Sequence, residues 1–137
     1  KFRIVSENTD NKEDWIEWAI RSVQSCYGYE YQGDNLLIAR INVLLSFVEY
    51  FEERWNSHVE KQVLNRLANI ISWNFWQMDG LKDTVPYGAP YQKNKQISFF
   101  DVFDNGKEGE SEAVPCRIYD WRSKMSIKFM DIKETTL

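Results

Sequence analysis

At 137 residues the chain is about one domain in length, and its 43% hydrophobic and 15% aromatic residues exclude a chain too polar to build a core. No apolar run approaches the roughly 18–20 residues that cross a bilayer. Lys1-Phe2-Arg3-Ile4-Val5 does not begin the sustained apolar segment of a secretory signal, so a cytoplasmic protein without membrane contact is expected. The net charge of −4 argues against a domain that itself grips a phosphate backbone through a basic face.

The first helix is read from Trp15, Trp18, Ala19, Ser22 and Val23, which recur along one helical stripe. Asp10 and Glu13 have the spacing of a cap and its reciprocal carboxylate. Both tryptophans on that stripe are expected to pack against the core. Cys26 follows; with Cys116 it is expected to be a reduced thiol, and one histidine without a Cys-x-x-Cys or His-x-x-x-His spacing gives no metal site. The aromatic stretch Tyr27-Gly28-Tyr29-Glu30-Tyr31 reads as a strand ending near Glu30, then a turn through Gly33 and a helix capped by Asp34. That helix runs over roughly residues 35–55, with Leu37, Ile41, Leu44, Val48, Phe51 and Trp55 as its stripe and Leu36, Val43 and Phe47 widening it.

A third helix starts at the capping-box pair Ser57 and Glu60 and buries Val59, Val63, Leu67, Ile70 and Ile71. His58, beside that cap, reads as a solvent-exposed residue without a partner. Trp73-Asn74-Phe75-Trp76-Gln77-Met78 reads as a second strand, halted by the turn signal Asp79-Gly80. Residues 84–91 form a Pro/Gly loop. Strands are expected at Ile97–Phe103, Arg117–Trp121 and Ser126–Phe129, with an acidic exposed loop before the last two. Arg117, Arg122, Lys124, Lys128 and Lys133 are offset by Asp120, Asp131 and Glu134, which predicts a mixed solvated surface rather than a DNA-facing hairpin.

Two acidic residues, Glu30 and Asp79, thus stand at the ends of two strands. Ligands of open α/β sheets bind outside the carboxyl ends of the strands. There one carboxylate can accept from both ribose hydroxyls and another from the exocyclic amine of a purine, each charge-assisted bond contributing roughly 1.5–3 kcal/mol. Acidic residues after strands also occur simply because turns are polar and helices favour acidic caps.

Gly28-Tyr29-Glu30-Tyr31-Gln32-Gly33-Asp34-Asn35-Leu36-Leu37-Ile38-Ala39-Arg40 resembles the second cofactor motif of DNA adenine-N6 methyltransferases, particularly those of bacterial restriction–modification systems. Asn74-Phe75-Trp76-Gln77-Met78-Asp79-Gly80-Leu81 looks like the third motif. The resemblance implies that Glu30 binds the ribose hydroxyls of S-adenosyl-L-methionine and that Tyr31 lies against the adenine. It further implies that Asp79 takes the adenine amine and that Gly80 offers its backbone N–H nearby. It spans roughly residues 15–82, with a longer helical pair between the motifs than the basic fold requires.

The family's Gly-rich first motif is absent, since residues 1–27 contain no glycine, and so is the catalytic Asn/Asp-Pro-Pro-Tyr/Phe. Pro86-Tyr87 and Pro90-Tyr91 lack the second proline and the acceptor, and are read as loop residues. No catalytic residue is assigned. The expectation is an α/β fold: a partial Rossmann-like methyltransferase region over residues 1–82, with long inserted helices, and a β-rich appendage over 83–137. The chain would be an internal piece of a longer enzyme and inactive alone, with weak or absent cofactor binding. In the intact enzyme the partners are DNA and the remaining domains of the same polypeptide.

Two readings from other classes stand beside this one: an interaction or DNA-contacting module without a cofactor, and a different nucleotide-binding α/β protein. Gln96-Ile97-Ser98-Phe99-Phe100 resembles the peptide by which bacterial replication proteins dock on the sliding clamp, though a strand explains the same letters. The Trp15/Trp18 and Trp73/Trp76 pairs could serve as base-stacking platforms, and core packing accounts for them more simply.

Overall fold

The computed structural model describes residues 1–86 and 114–135. The strand expected at Ile97–Phe103, the clamp-like peptide, the acidic loop and Pro90-Tyr91 lie outside those residues. The order of elements is α1 (Phe2–Asn8), α2 (Lys12–Gln24), β1 (Gly28–Glu30), α3 (Gly33–Trp55), α4 (Lys61–Asn74), β2 (Phe75–Gln77), β3 (Arg117–Asp120), β4 (Met125–Lys128) and α5 (Phe129–Thr135). The described residues therefore mix helix and strand, with two two-stranded sheets: β1 beside β2, and β3 beside β4.

The core lies among the first four helices. Trp15 of α2 is fully buried, with ring centroids of Phe47 and Phe51 at 5.3 and 5.6 Å, and Ala19, Ile20, Leu67, Ile70 and Ile71 close the cluster. The indole N–H, which would be costly to bury unpaired, donates to Ser6 Oγ at 2.8 Å. Full burial of one such side chain contributes about 1.5–3 kcal/mol. Trp18, expected on the same buried stripe, is instead 54% exposed. Positions three apart are 300° around a helix, so Trp18 sits at the margin of the face that Trp15, Ala19 and Val23 bury.

Helix boundaries differ from expectation wherever a capping side chain was assigned. Asn11, not Asp10, caps α2: its backbone is extended and its Oδ1 accepts from Asp14 N at 2.8 Å. The N-cap of α3 is Gln32, and Asp34 lies in the first turn, where a carboxylate favours the helix dipole without capping. Glu60 occupies the N-cap of α4 without a side-chain bond, while Ser57 Oγ accepts from Lys12 Nζ at 2.9 Å instead. His58 does have a partner, Glu52 Oε1 at 2.7 Å.

The buried face of α3 is rotated from the expected stripe. Leu36, Phe47 and Phe51 are buried, and Val43, Leu44, Val48 and Trp55 are half-buried, whereas Leu37 and Ile41 are exposed. At this helix apolar residues occur almost all round, so periodicity alone could not choose the face. In α4 the expected face holds: Leu67, Ile70 and Ile71 are buried, and Val59 and Val63 pack against the same cluster. Helix α1 was not foreseen, since its seven residues bury only Val5.

The β3–β4 hairpin pairs antiparallel, with Ile118 opposite Ile127. Its turn is fixed by Asp120, whose carboxylate accepts from Arg122 N and from the backbone and hydroxyl of Ser123. One of its links to the helices is Asn74, beside the Tyr27 hydroxyl on Tyr119 O and the packing of Trp121 on the core. The Asn74 amide donates to the carbonyls of Val23, Gln24 and Cys26, each at 3.0 Å, and its Oδ1 accepts from Trp121 Nε1 at 2.7 Å. Asn74 is the last residue of α4 and not part of the strand that was expected to contain it.

Among the described residues no helix is long and apolar enough to cross a membrane. No group of three His, Cys, Asp or Glu there could hold a metal ion. Cys26 and Cys116 are free thiols.

Candidate functional site at the ends of the parallel strands

Strands β1 and β2 are parallel, with Gly28 opposite Phe75, Tyr29 opposite Trp76 and Glu30 opposite Gln77. The pairing extends one step further, as Met78 N donates to Glu30 O at 3.1 Å. Asp79 follows at once. Glu30 and Asp79 therefore leave the same, carboxyl, end of two neighbouring strands, which lie roughly 4.8 Å apart in such sheets. A parallel pair needs a crossover connection, and α3 with α4 supplies it. Arg40 ties that crossover to the sheet: its guanidinium donates to the carbonyls of Ser72 and Phe75 at the C-terminal end of α4. Cationic donors suit that end of a helix, where the last carbonyls lack partners.

The two carboxylates are held alike. One oxygen of Glu30, Oε1, accepts from the N–H of Tyr31 at 2.9 Å and of Gln32 at 3.2 Å. One oxygen of Asp79, Oδ1, accepts from the N–H of Leu81 at 3.0 Å and of Lys82 at 3.3 Å. Each side chain is thus oriented by its own turn through a single oxygen. No hydrogen bond engages Glu30 Oε2 among the described residues, while Asp79 Oδ2 has Lys82 Nζ at 3.9 Å. These turn bonds also show why an acidic residue stands at each position without any ligand: it stops the strand by accepting two N–H groups of the turn that follows, at i+1 and i+2 for Glu30 and at i+2 and i+3 for Asp79.

Tyr31 is exposed beside Glu30, and its carbonyl accepts from Gln77 Nε2 at 2.8 Å, which joins the two turns. Gly80 has a steric reason to be glycine. A Cβ there would lie 2.9 Å from Cε2 of Tyr29. The Tyr29 ring is half exposed and contacts Trp76 and Phe129, with centroids 6.0 and 5.8 Å away, so it can give way only by shifting those contacts. Beyond Asp79 the chain turns, and Thr84 bridges back to Asp79 and across to Pro115. Cys116 lies against this junction, its thiol pushed up to about 11 by burial and then by the Asp83 carboxylate.

Comparison with protein-family models, with characterised proteins and with solved structures gives no match. The site therefore rests on its own geometry. The structure brings all four expected residues, Glu30, Tyr31, Asp79 and Gly80, to one end of the sheet. Cavities beside α1 and between α2 and the β3–β4 turn are lined by other residues. Sequence reasoning missed Asn74 and the bracing role of Arg40. Arg40 carried a signal, a cation two turns into the crossover helix, whereas the partners of Asn74 are distant carbonyls that no local pattern announces.

Proposed function

We propose that the carboxyl ends of β1 and β2 form the adenosine-binding half of an S-adenosyl-L-methionine site in a Rossmann-like DNA adenine-N6 methyltransferase of restriction–modification type. The observation that carries this reading is the parallel register, from which Glu30 and Asp79 leave the same end of neighbouring strands, each fixed by its turn through one oxygen. The other oxygen of Glu30 would accept from the ribose hydroxyls, and that of Asp79 from the adenine amine, with Tyr31 against the base and Gly80 N–H close by. The methyl-bearing part of the cofactor and the target adenine would be handled by segments of the enzyme outside this sequence. No residue here is assigned the chemistry.

Two anchoring carboxylates hardly offset the cost of immobilising a ligand, so the expected dissociation constant for the chain alone is about millimolar, near −4 kcal/mol. The test is an NMR titration with S-adenosylmethionine, adenosine and methionine. The first two should move the amide signals of Tyr31, Gln32, Gly80, Leu81 and Lys82, and methionine should not. Glu30→Ala should remove the response. Unmoved amides at saturating adenosine would overturn the proposal, and a micromolar constant would mean that the site is far more complete than proposed.

A second reading draws on a different observation. The outer face of α3 leaves Leu37, Ile38, Ile41 and Leu45 exposed, which is a contiguous apolar stripe. An interaction module that joins other domains or subunits through this stripe needs no cofactor, and it predicts a tolerant Glu30.

A further inference from the structure

A cleft of about 750 Å³ lies between α2 and the β3–β4 turn, on residues that the adenosine reading does not use. Two indoles, Trp18 and Trp121, the Tyr27 phenol and two guanidinium groups, Arg21 and Arg122, line it. Trp18 stands in this wall rather than in the core, with the Arg21 guanidinium 5.0 Å from its ring. The opposite wall is set in place before any ligand arrives. Trp121 is anchored through its N–H to Asn74 and packs on Tyr119 at 4.7 Å, and the Tyr27 hydroxyl donates to Tyr119 O at 2.9 Å. Preorganised walls reduce the ordering cost of binding.

Neither guanidinium has a carboxylate within ion-pair distance among the described residues. The two nearby acids, Glu17 and Asp120, make their hydrogen bonds elsewhere and interact with the Arg21 and Arg122 guanidinium groups only at longer range. Glu17 is bonded by Arg66, which holds its carboxyl below the usual range. Asp120 is taken up by its own turn, and those bonds lower its carboxyl likewise. The cleft thus combines flat aromatic faces with two guanidinium groups that stand in no ion pair among the described residues. Aromatic faces accept any nucleobase, and guanidinium groups match phosphate. A duplex hides its base faces in the stack, so the ligand class that uses both features is an unpaired, phosphorylated base.

We propose that this cleft binds single-stranded nucleic acid, stacking an unpaired base on the indoles and directing a phosphate to Arg21 and Arg122. The chain's net charge of −4 fits such a site, because stacking and two local cations replace the broad basic face that a duplex binder needs. With two phosphate contacts, the logarithm of affinity should fall with the logarithm of salt concentration with a slope of about −1.4. The proposal is independent of the adenosine site and can fail without it.

The experiment is fluorescence anisotropy of a labelled thymidine octanucleotide against the full chain, with thymidine monophosphate and an eight-base-pair duplex as competitors. The octanucleotide should bind, and Trp18→Ala should weaken it at least about fivefold. Arg122→Ala should halve the salt slope to about −0.7, while Lys61→Ala, on an exposed residue remote from the cleft, should leave both unchanged. Trp18 and Arg122 are exposed, and unchanged thermal melts will separate lost binding from lost folding. Binding indifferent to Trp18→Ala and Arg122→Ala overturns the proposal, as does an absence of binding. A duplex that competes better than the single strand, or a monophosphate that competes as well, overturns it too.

Discussion

The helical layer and the C-terminal hairpin are held by different forces. Around Trp15 the contacts are apolar and non-directional, and Phe47, Phe51, Leu67 and Ile70 share the load. At the hairpin, among the described residues, Cys116 and Ile118 are buried and a few ring contacts reach the helices and β1–β2, such as Trp121 against the core and Tyr119 on Trp73. The directional part of the attachment is a handful of hydrogen bonds: Trp121 Nε1 to Asn74, Tyr27 to Tyr119 O and the Thr84 bridges. An apolar layer loses stability in proportion to the volume removed. A hydrogen-bonded joint loses its geometry when one atom is removed. The adenosine site borders the joint, and the aromatic cleft has one wall on α2 of the layer and the other on the hairpin turn, so the precision of both depends in part on the weaker kind of attachment.

The largest effect should come from Trp15→Ala, which removes the centre of the layer and should cost about 3–5 kcal/mol by urea denaturation. A loss near 1 kcal/mol would show that the layer is less dependent on its indole than its burial implies. Asn74→Ala should follow at roughly 2–4 kcal/mol, because three carbonyls and the Trp121 N–H lose their partner. It should also loosen the hairpin first, seen as faster amide exchange at Ile118 and Ile127 than in the helices. Uniform exchange would erase the distinction between layer and joint.

Gly80→Ala should cost about 1 kcal/mol by displacing the half-exposed Tyr29 ring, with a change in the near-ultraviolet circular dichroism of the Tyr29–Trp76–Phe129 group. Raising the pH probes the same junction. The fold favours the protonated Cys116 thiol, so its contribution is intact below about pH 9 and is lost as pH rises towards about 11. Cys116→Ser should flatten that part of the stability profile, and a thiol reagent should modify half-buried Cys26 first. The smallest effect is expected at the partly exposed Arg66–Glu17 pair, where Glu17→Gln should cost no more than about 1 kcal/mol. The lowered Glu17 carboxyl places that loss above the ordinary carboxylate range, and it should vanish as pH falls through it.

Elements whose apolar residues repeat with a clear period were legible in the sequence. α2, α4 and the two hairpin strands lie where spacing predicts them, and the turn at Asp79-Gly80 halts β2 as expected. Side-chain caps were not legible. Asp10, Asp34 and Ser57 have suitable chemistry, but the residue with extended backbone at the helix start decides the cap, and that is set by the chain's path. The face of α3 was ambiguous because leucine, isoleucine and valine surround it. For the candidate site, the sequence supplied Glu30 and Asp79 as strand-end acids. Only the parallel pairing of β1 with β2 could bring them to one end, and this pairing depends on contacts made far along the chain.

The Arg40 clamp has a consequence for how the protein reaches this state. Gly28 and Phe75 are register partners separated by all of α3 and α4, so their pairing closes a long loop for only three residues of ladder. So short a ladder is too weak to nucleate folding on its own. The helical pair must collapse first, and Arg40, already near the end of α4, then presents the start of β2 to β1. The strand ends bearing Glu30 and Asp79 should accordingly be among the last parts of the molecule to form, with transition-state contributions near zero for substitutions there and substantial ones for Arg40→Ala.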